Sequence, residues 1–156
     1  MLKKFRANFR SFKEFLLFAQ IFLMIISLPI MFRLFSIPRL MRMLTPRDLK
    51  IYQHMERENL KDKIVKFTDY ILNRNSLTSK NICLKRTLVL YHFLRKIGMD
   101  VQICLGVKYN TLSDSEAQKK LDGHAWLLYD RNIFLEKNTK MTKIYQMTYC
   151  FPSEHE

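Results

Sequence analysis

The chain has 156 residues, which is enough for one domain with its own hydrophobic core, since domains typically hold about 100–200 residues. Its 48% hydrophobic residues, three glycines and four prolines exclude a disordered, collagen-like or low-complexity chain. Its three cysteines are widely spaced, which argues against a disulfide scaffold and against a cysteine-rich zinc module; the net charge is +13.

The N-terminal segment combines cations with a long apolar run. Residues 1–13 carry five cations and no acid, residues 15–32 carry no charge, and residues 1–50 hold ten Lys and Arg against two acidic residues. Basic residues that flank an apolar run are typical of proteins at a membrane surface, whereas a nucleic-acid interface needs a solvated basic stripe. The sequence therefore predicts association with a membrane surface through residues 15–32, and no nucleic-acid partner.

Three interpretations of residues 15–32 compete. A secretory signal is set aside, because no alanine between Ala19 and Ala117 provides a small-residue cleavage site. A single membrane span is at the lower limit of length, and the basic residues on both flanks leave its orientation undefined. We favour a pair of helices, broken at Pro29 and Pro38, that lies at a membrane interface or packs on the protein itself or on a partner.

Two amphipathic helices and then several strands follow. Apolar side chains recur every three or four positions in residues 47–75 and again in residues 83–97, and Gly98 stands where a helix C-cap glycine is expected. Alternating and β-branched residues predict strands over four later segments, which are 100–109, 124–129, 133–137 and 144–151. Helices followed by antiparallel strands make the predicted fold class α+β.

Cys83 is the candidate nucleophile. It starts the second helix, where Ser79 or Asn81 is placed to cap the first turn and where the helix dipole favours a thiolate. A thiolate attacks carbonyl carbon, which a thiol does poorly. By itself a cysteine near a helix end is more often a small buried hydrophobe. Cys104 lies in an apolar predicted strand and is expected in the core, and Cys150 is expected either in the core or near the tail.

His124 is the candidate general base. It follows Gly123 at the start of a predicted strand, so it can face the end of a helix that packs on the sheet. The chain order of cysteine before histidine is the order that Cys–His hydrolases use. The remaining histidines fit structural or surface roles; they are His54, His92 and His155.

Hairpin geometry supplies the third residue. A three-residue turn at 130–132 would pair Trp126 with Glu136 and His124 with Asn138. Glu136 and Asn138 then share a face with His124, whereas a two-residue turn would point both away. We predict that Glu136 orients the imidazole, because a carboxylate also stabilises the imidazolium, and we keep Asn138 as the alternative.

Four segments together resemble a known family: Cys83-Leu84-Lys85-Arg86-Thr87-Leu88, Gly98, Leu105-Gly106-Val107 and Gly123-His124-Ala125-Trp126. They are similar to the transglutaminase-like cysteine peptidases of lasso-peptide biosynthesis, which resemble the C-terminal domain of microcin-processing proteins. The resemblance covers about residues 47–140. It implies a papain/transglutaminase-like fold over residues 47–156, with the catalytic helix packed on an antiparallel sheet, after a basic and apolar helical segment at 1–46.

The resemblance also implies an activity. A cytoplasmic cysteine peptidase of this family removes the leader peptide from a ribosomally made precursor through a thioester acyl-enzyme, with Cys83 as nucleophile and His124 as base. It implies a precursor peptide, a separate leader-recognition protein and a macrolactam synthetase as partners, and no cofactor. No metal is predicted, because Cys83, Cys104 and His124 lie far apart in the sequence.

This chain departs from the family at two places. The family usually has aspartate as the third catalytic residue, where this chain has Glu136, and Lys85 and Thr87 stand where smaller or apolar residues are expected. Two alternatives therefore stay open: a non-catalytic leader-binding or scaffold protein of the same fold, and a small membrane-anchored protein whose remaining half only resembles a hydrolase.

Overall fold

The computed structural model describes residues 12–47, 54–74, 81–110 and 120–152. Ser79 and His155, for which roles were predicted, lie outside these ranges. His54 begins one of the ranges, but its side chain is not among the described parts. In the described ranges the helices are α1 Phe12–Leu34, α2 Ile37–Leu44, α3 His54–Arg74, α4 Ile82–Lys96 and α5 Thr139–Thr142. The strands are β1 Val101–Asn110, β2 Lys120–Tyr129, β3 Asn132–Phe134 and β4 Gln146–Phe151.

The strands form one antiparallel sheet in the order β3-β2-β1-β4. Alternate residues of these strands, such as Ile103 and Leu127, join the hydrophobic core with α4, because successive side chains in a strand point to opposite faces. Gly98 ends α4 with φ of 82°, and its N–H bonds to the Arg95 carbonyl at 2.9 Å, as predicted for a helix C-cap. The predicted α+β fold class is confirmed.

Helix α1 is continuous through Pro29, so the predicted break at this residue is wrong. Proline inside a helix costs about 3 kcal/mol. Three side chains on the inner side of α1, Ile21, Ile25 and Leu28, are fully buried against the domain, and each contributes about 1.5–3 kcal/mol. Packing thus outweighs the proline, and a new helix begins only after Ser36, with Pro38 in its first turn.

The core is shared by the N-terminal helices and the rest of the chain. Leu40, Met41 and Leu44 of α2 join the same cluster as Leu88 and Leu94 of α4. Helix α1 is long and apolar enough to cross a membrane, a property that core helices and signal sequences share. The division of the chain at residues 46 and 47 stays a prediction.

The β2–β3 hairpin has a two-residue turn, which corrects the predicted three-residue turn. Asp130 and Arg131 both have positive φ, at 49° and 62°, and Tyr129 pairs with Asn132. Two central residues with positive φ form the turn whose twist matches a tight hairpin. The predicted pairing of His124 with Asn138 is therefore wrong, and the ladder ends at Phe134.

The sheet also brings two cysteines together. Cys104 and Cys150 are partners in the β1–β4 ladder and form a disulfide, although 46 positions separate them in the sequence. Cys104 is fully buried, as predicted, but its partner was not foreseen, because nothing local in the sequence specifies that β4 pairs with β1. Cys83 is the remaining cysteine and is free.

Candidate active site

Cys83 is the second residue of α4 and is half-buried. This position confirms the predicted helix start, but the predicted cap from Asn81 is absent: its side chain makes no capping bond, and its backbone has φ of 56°. The first N–H groups of a helix have no partner within the helix. The N–H of Cys83 is one of these groups. It can therefore donate to the oxyanion that forms on a substrate carbonyl when the thiol attacks it.

Thr87 anchors the start of α4 to the sheet. It lies one helical turn after Cys83, and its hydroxyl donates to the Ala125 carbonyl at 3.0 Å, with Thr87 only 2% exposed. Ala125 directly follows His124, so this bond holds α4 against the strand that carries the candidate base. Thr87, which differs from the residue expected in the resembling family, thus has a structural role because it joins α4 to β2.

His124 and Glu136 lie next to each other. The distance from His124 Nε2 to Glu136 Oε2 is 3.7 Å, and the side chains are 21% and 15% exposed. This is an ion-pair distance for a protonated imidazole and longer than an ordinary hydrogen bond; catalytic contacts in a ligand-free site often tighten when substrate binds. The carboxylate occupies the Nε2 side, which leaves Nδ1 as the other ring nitrogen for proton transfer.

Glu136 reaches His124 by a route different from the predicted ladder. In β2, His124 alternates with Ala125 and so points away from the core face, and β3 pairs only with Leu127–Tyr129. Among the described strands, none pairs with β2 beside His124 on the side away from β1. Leu135 has φ of 58°, which turns the chain out of the ladder and carries Glu136 across this edge.

The alternative orienting residue, Asn138, has another local role. Its side chain accepts the N–H of Met141 at 3.2 Å and caps the short helix α5. Asparagine is among the preferred residues for this position. The structure thus brings Glu136 to His124 and uses the Asn138 amide at the helix end.

Arg86 links the candidate site to the helices. Its guanidinium donates to Asp69 Oδ1 at 2.7 Å and to the Leu135 carbonyl at 3.0 Å, and it lies 3.7 Å from Glu136 Oε1. One carboxylate therefore contacts both His124 and the residue that lies three positions after Cys83. Asp69 was not predicted as a site residue, because its contact with Arg86 depends on how α3 packs against α4.

We expect Arg86→Met to lower the free energy of unfolding by about 2–3 kcal/mol, since hydrogen bonds to charged groups are worth about 1.5–3 kcal/mol. Arg86→Lys should recover only part of this loss, because an ammonium cannot reproduce the fork that holds Asp69 and the Leu135 carbonyl. Urea unfolding measures both values. Lys66→Met, which removes an exposed lysine on α3, is the control and should change stability by less than about 0.5 kcal/mol.

Aromatic rings enclose the imidazole of His124. The Trp126 ring stacks on it with centroids 5.9 Å apart, and the Tyr145 ring lies at 5.0 Å. Trp126 is 4% exposed, so it both packs and forms a wall of the site. Tyr145 precedes β4 and was not predicted here, because only the β1–β4 pairing brings it to His124.

Asp122 and Lys108 lie next to the Tyr145 hydroxyl and extend this side of the site. The Tyr145 hydroxyl donates to Asp122 Oδ2 at 2.8 Å, and Lys108 Nζ lies 3.5 Å from the same oxygen. The bond from Tyr145 is the main cause that lowers the pKa of Asp122, and burial together with that bond raises the pKa of Tyr145. Tyr145 thus keeps its proton and Asp122 its negative charge in the neutral pH range.

Gly106 makes room for the aromatic wall. It pairs with His124 across the ladder, and a Cβ at this position would lie 2.7 Å from the Trp126 ring and 2.8 Å from the Gln146 carbonyl oxygen. A Cβ added at Gly123, on the neighbouring strand, would have no atom within 4 Å. Glycine is therefore required by packing at position 106 and not at position 123.

We expect Gly106→Ala to destabilise the fold by about 1–3 kcal/mol, the usual cost of overpacking. The change should also alter the fluorescence of Trp126, the single tryptophan of the chain. Gly123→Ala is the matched control, and its free energy of unfolding should stay within about 0.5 kcal/mol of the wild-type value. Equal destabilisation by both variants would contradict the close approach of Trp126.

Metal ligands do not cluster in the described part of the chain. Across residues 12–47, 54–74, 81–110 and 120–152, no group of three His, Cys, Asp or Glu side chains is placed to hold a metal ion. His92 bonds through Nδ1 to the Leu44 carbonyl at 2.7 Å. Burial is the main cause that lowers its pKa.

The comparison with protein families matched residues 24–148 to the transglutaminase-like superfamily. The chain belongs to this superfamily. The match includes Cys83, His124 and Glu136, and begins within α1. The searches of curated proteins and of solved structures returned no match.

Superfamily membership gives the site a chemical context. Transglutaminase-like proteins are often cysteine hydrolases. This chain combines the superfamily domain with an antiparallel four-stranded sheet and an apolar N-terminal helix. Membership alone does not specify a substrate. In this transglutaminase-like protein Cys83 supplies a free thiol, and His124 and Glu136 supply an imidazole and a carboxylate that lie 3.7 Å apart.

Proposed function

We propose that this transglutaminase-like protein is a cysteine peptidase that removes the leader peptide from a ribosomally made precursor of the lasso type. The observation that carries the proposal is the Glu136 carboxylate, which contacts both His124 and Arg86, the residue one helical turn from the free Cys83. The superfamily supports hydrolase chemistry. The resemblance of the segments around Cys83 and His124 to lasso-peptide peptidases supports the choice of substrate.

The chemistry follows the roles of these groups. The sulfur of Cys83 attacks the carbonyl carbon at the end of the leader, and His124 takes the thiol proton. The peptide C–N bond breaks, His124 gives that proton to the leaving amine of the core peptide, and the leader stays on Cys83 as a thioester. Water then attacks the thioester, and His124 takes one proton from it and gives that proton to the Cys83 sulfur as the C–S bond breaks. The leader leaves as a carboxylic acid, which loses its other proton to solvent.

Partners and location are part of the same proposal. A separate leader-recognition protein would present the precursor, and a macrolactam synthetase would take the freed core peptide. A cytoplasmic location fits a substrate made on the ribosome, but the Cys104–Cys150 disulfide counts against it, because disulfides are rare in the cytosol. Alkylation of the protein in intact cells, followed by peptide mass spectrometry, reports whether the pair is reduced there.

The test is capture of the thioester. The full chain is mixed with a candidate lasso-type precursor peptide and a leader-recognition protein, then quenched in acid after short times. We expect intact-protein mass spectrometry to show a transient adduct of the leader fragment on Cys83 and one cleavage product. Precursor that binds without an adduct or a product would identify a scaffold protein of the same fold and overturn the peptidase proposal.

A further inference from the structure

The outer side of α1 is an apolar stripe that no described part of the protein covers. Side chains along its whole length are at least 39% exposed, and they are Phe12, Leu16, Phe22, Leu23, Ile26, Ile30 and Leu34. At 1.5 Å per residue, the 23 residues of α1 make this stripe about 35 Å long. A helix that is apolar on all sides is normally covered by protein or by lipid.

The inner side of α1 decides how lipid can cover the stripe. Ile21, Ile25 and Leu28 are fully buried, and Glu14 forms an ion pair of 2.7 Å with Lys63 on α3. Helix α3 carries many charged residues, which the hydrocarbon core of a bilayer excludes. While α1 stays packed on the domain it cannot cross a membrane, but it can lie in the plane of the surface with its stripe in the lipid.

A cationic concavity adjoins the end of α1. It has a volume of about 550 Å³ and is lined by Ser36, Arg39, Arg42, Met43 and Arg47. The three arginines are exposed, and no ion pair with a carboxylate is found for them among the described residues. The Arg39 guanidinium lies 5.4 Å from the centroid of the Phe35 ring. The concavity thus joins exposed positive charge to apolar surface, since Met43 is 51% exposed.

We propose that α1 and α2 dock this protein on a membrane surface of anionic phospholipid. The apolar stripe of α1 enters the boundary between headgroups and acyl chains, and Arg39, Arg42 and Arg47 hold lipid phosphates. Five cations in residues 1–13 add to the attraction. Charge complementarity favours lipid over a second copy, because the net charge of +13 makes two copies repel each other at this face.

The proposal is independent of the peptidase activity and is tested by vesicle co-sedimentation of the full chain. Phosphatidylcholine vesicles are compared with vesicles that contain 30% phosphatidylglycerol. We expect binding to the anionic vesicles that weakens with added salt, because salt screens the headgroup attraction. The double variant Arg39→Ser/Arg42→Ser should bind about 30-fold more weakly, since each basic residue near an anionic surface contributes about a factor of five.

Two further variants identify the surface. Lys140→Ser/Lys143→Ser removes the same number of exposed charges from α5 and the turn after it, and should keep most of the binding. Leu23→Gln/Ile30→Gln removes apolar stripe residues, and should weaken binding to anionic vesicles even at low salt. Circular dichroism spectra and unfolding midpoints confirm that each variant is folded.

Several results would overturn the proposal. These are no binding to anionic vesicles, equal loss in the two charge variants, or wild-type protein that resists extraction by both high salt and alkaline carbonate, as a spanning helix would. A concentration-dependent dimer that Leu23→Gln/Ile30→Gln dissociates, without vesicle binding, would assign the stripe to a second copy instead.

Discussion

Replacing Cys83 with alanine is expected to abolish cleavage of the precursor, with a fall in kcat of about 10⁴-fold or more. The thiol is the group that forms the covalent intermediate, and no other free cysteine is available, because Cys104 and Cys150 are joined to each other. Single-turnover cleavage followed by mass spectrometry measures the loss. Binding of the precursor should persist, since the substitution removes only a small side chain.

Chemical labelling provides a control for this prediction. In the folded, unreduced protein iodoacetamide should modify Cys83 well before the other two cysteines, and Cys83→Ala should then take up almost no label. Stability should change little, because Cys83 is half-buried and makes no disulfide. Cleavage by Cys83→Ala at the wild-type rate would show that this thiol is not the nucleophile.

Replacing Glu136 with glutamine is expected to lower kcat by about 10²–10⁴-fold. Glutamine keeps the size of the side chain but loses the negative charge that orients and stabilises the imidazolium of His124, which lies 3.7 Å away. Glu136→Asp should retain more activity, since it keeps the charge and matches the residue usual in the resembling family. Steady-state kinetics with the precursor separate this effect on kcat from any change in KM.

Asn138→Ala is the matched control for Glu136→Gln. It removes the cap of α5 and should cost about 1 kcal/mol of stability, with kcat nearly unchanged. Because Glu136 also contacts Arg86, unfolding midpoints are measured for both variants at the assay temperature. A loss of activity in Asn138→Ala together with a fully active Glu136→Gln would move the orienting role to Asn138.

Much of the fold could be predicted from local patterns. The period of apolar residues located α3 and α4, and Gly98 marked the end of α4, because helix periodicity and left-handed C-caps are properties of neighbouring residues. Short strands were also found, although β2 is longer than predicted and α5 was missed. The helix does not break at Pro29, because burial of other α1 side chains outweighs the cost of one proline inside a helix.

At the candidate site, the residues could be predicted from the sequence but the way in which they meet could not. Residue types and chain order singled out Cys83, His124 and Glu136, but the turn predicted to deliver Glu136 was wrong by one residue. The carboxylate reaches His124 because Leu135 adopts a positive φ and because Arg86 holds the same loop. Neither feature follows from strand alternation, which assumes that the ladder continues.

The sequence by itself determined the fold class, the start of the helix that carries Cys83, and the concentration of charge beside an apolar run. These depend on interactions between residues close together in the chain. Only the tertiary structure decided that Arg86 and Asp69 hold the loop before Glu136, that Tyr145 encloses His124, and that α1 has a packed and an open side. Such contacts join residues far apart in the chain, and their geometry is set by how complete helices and strands pack.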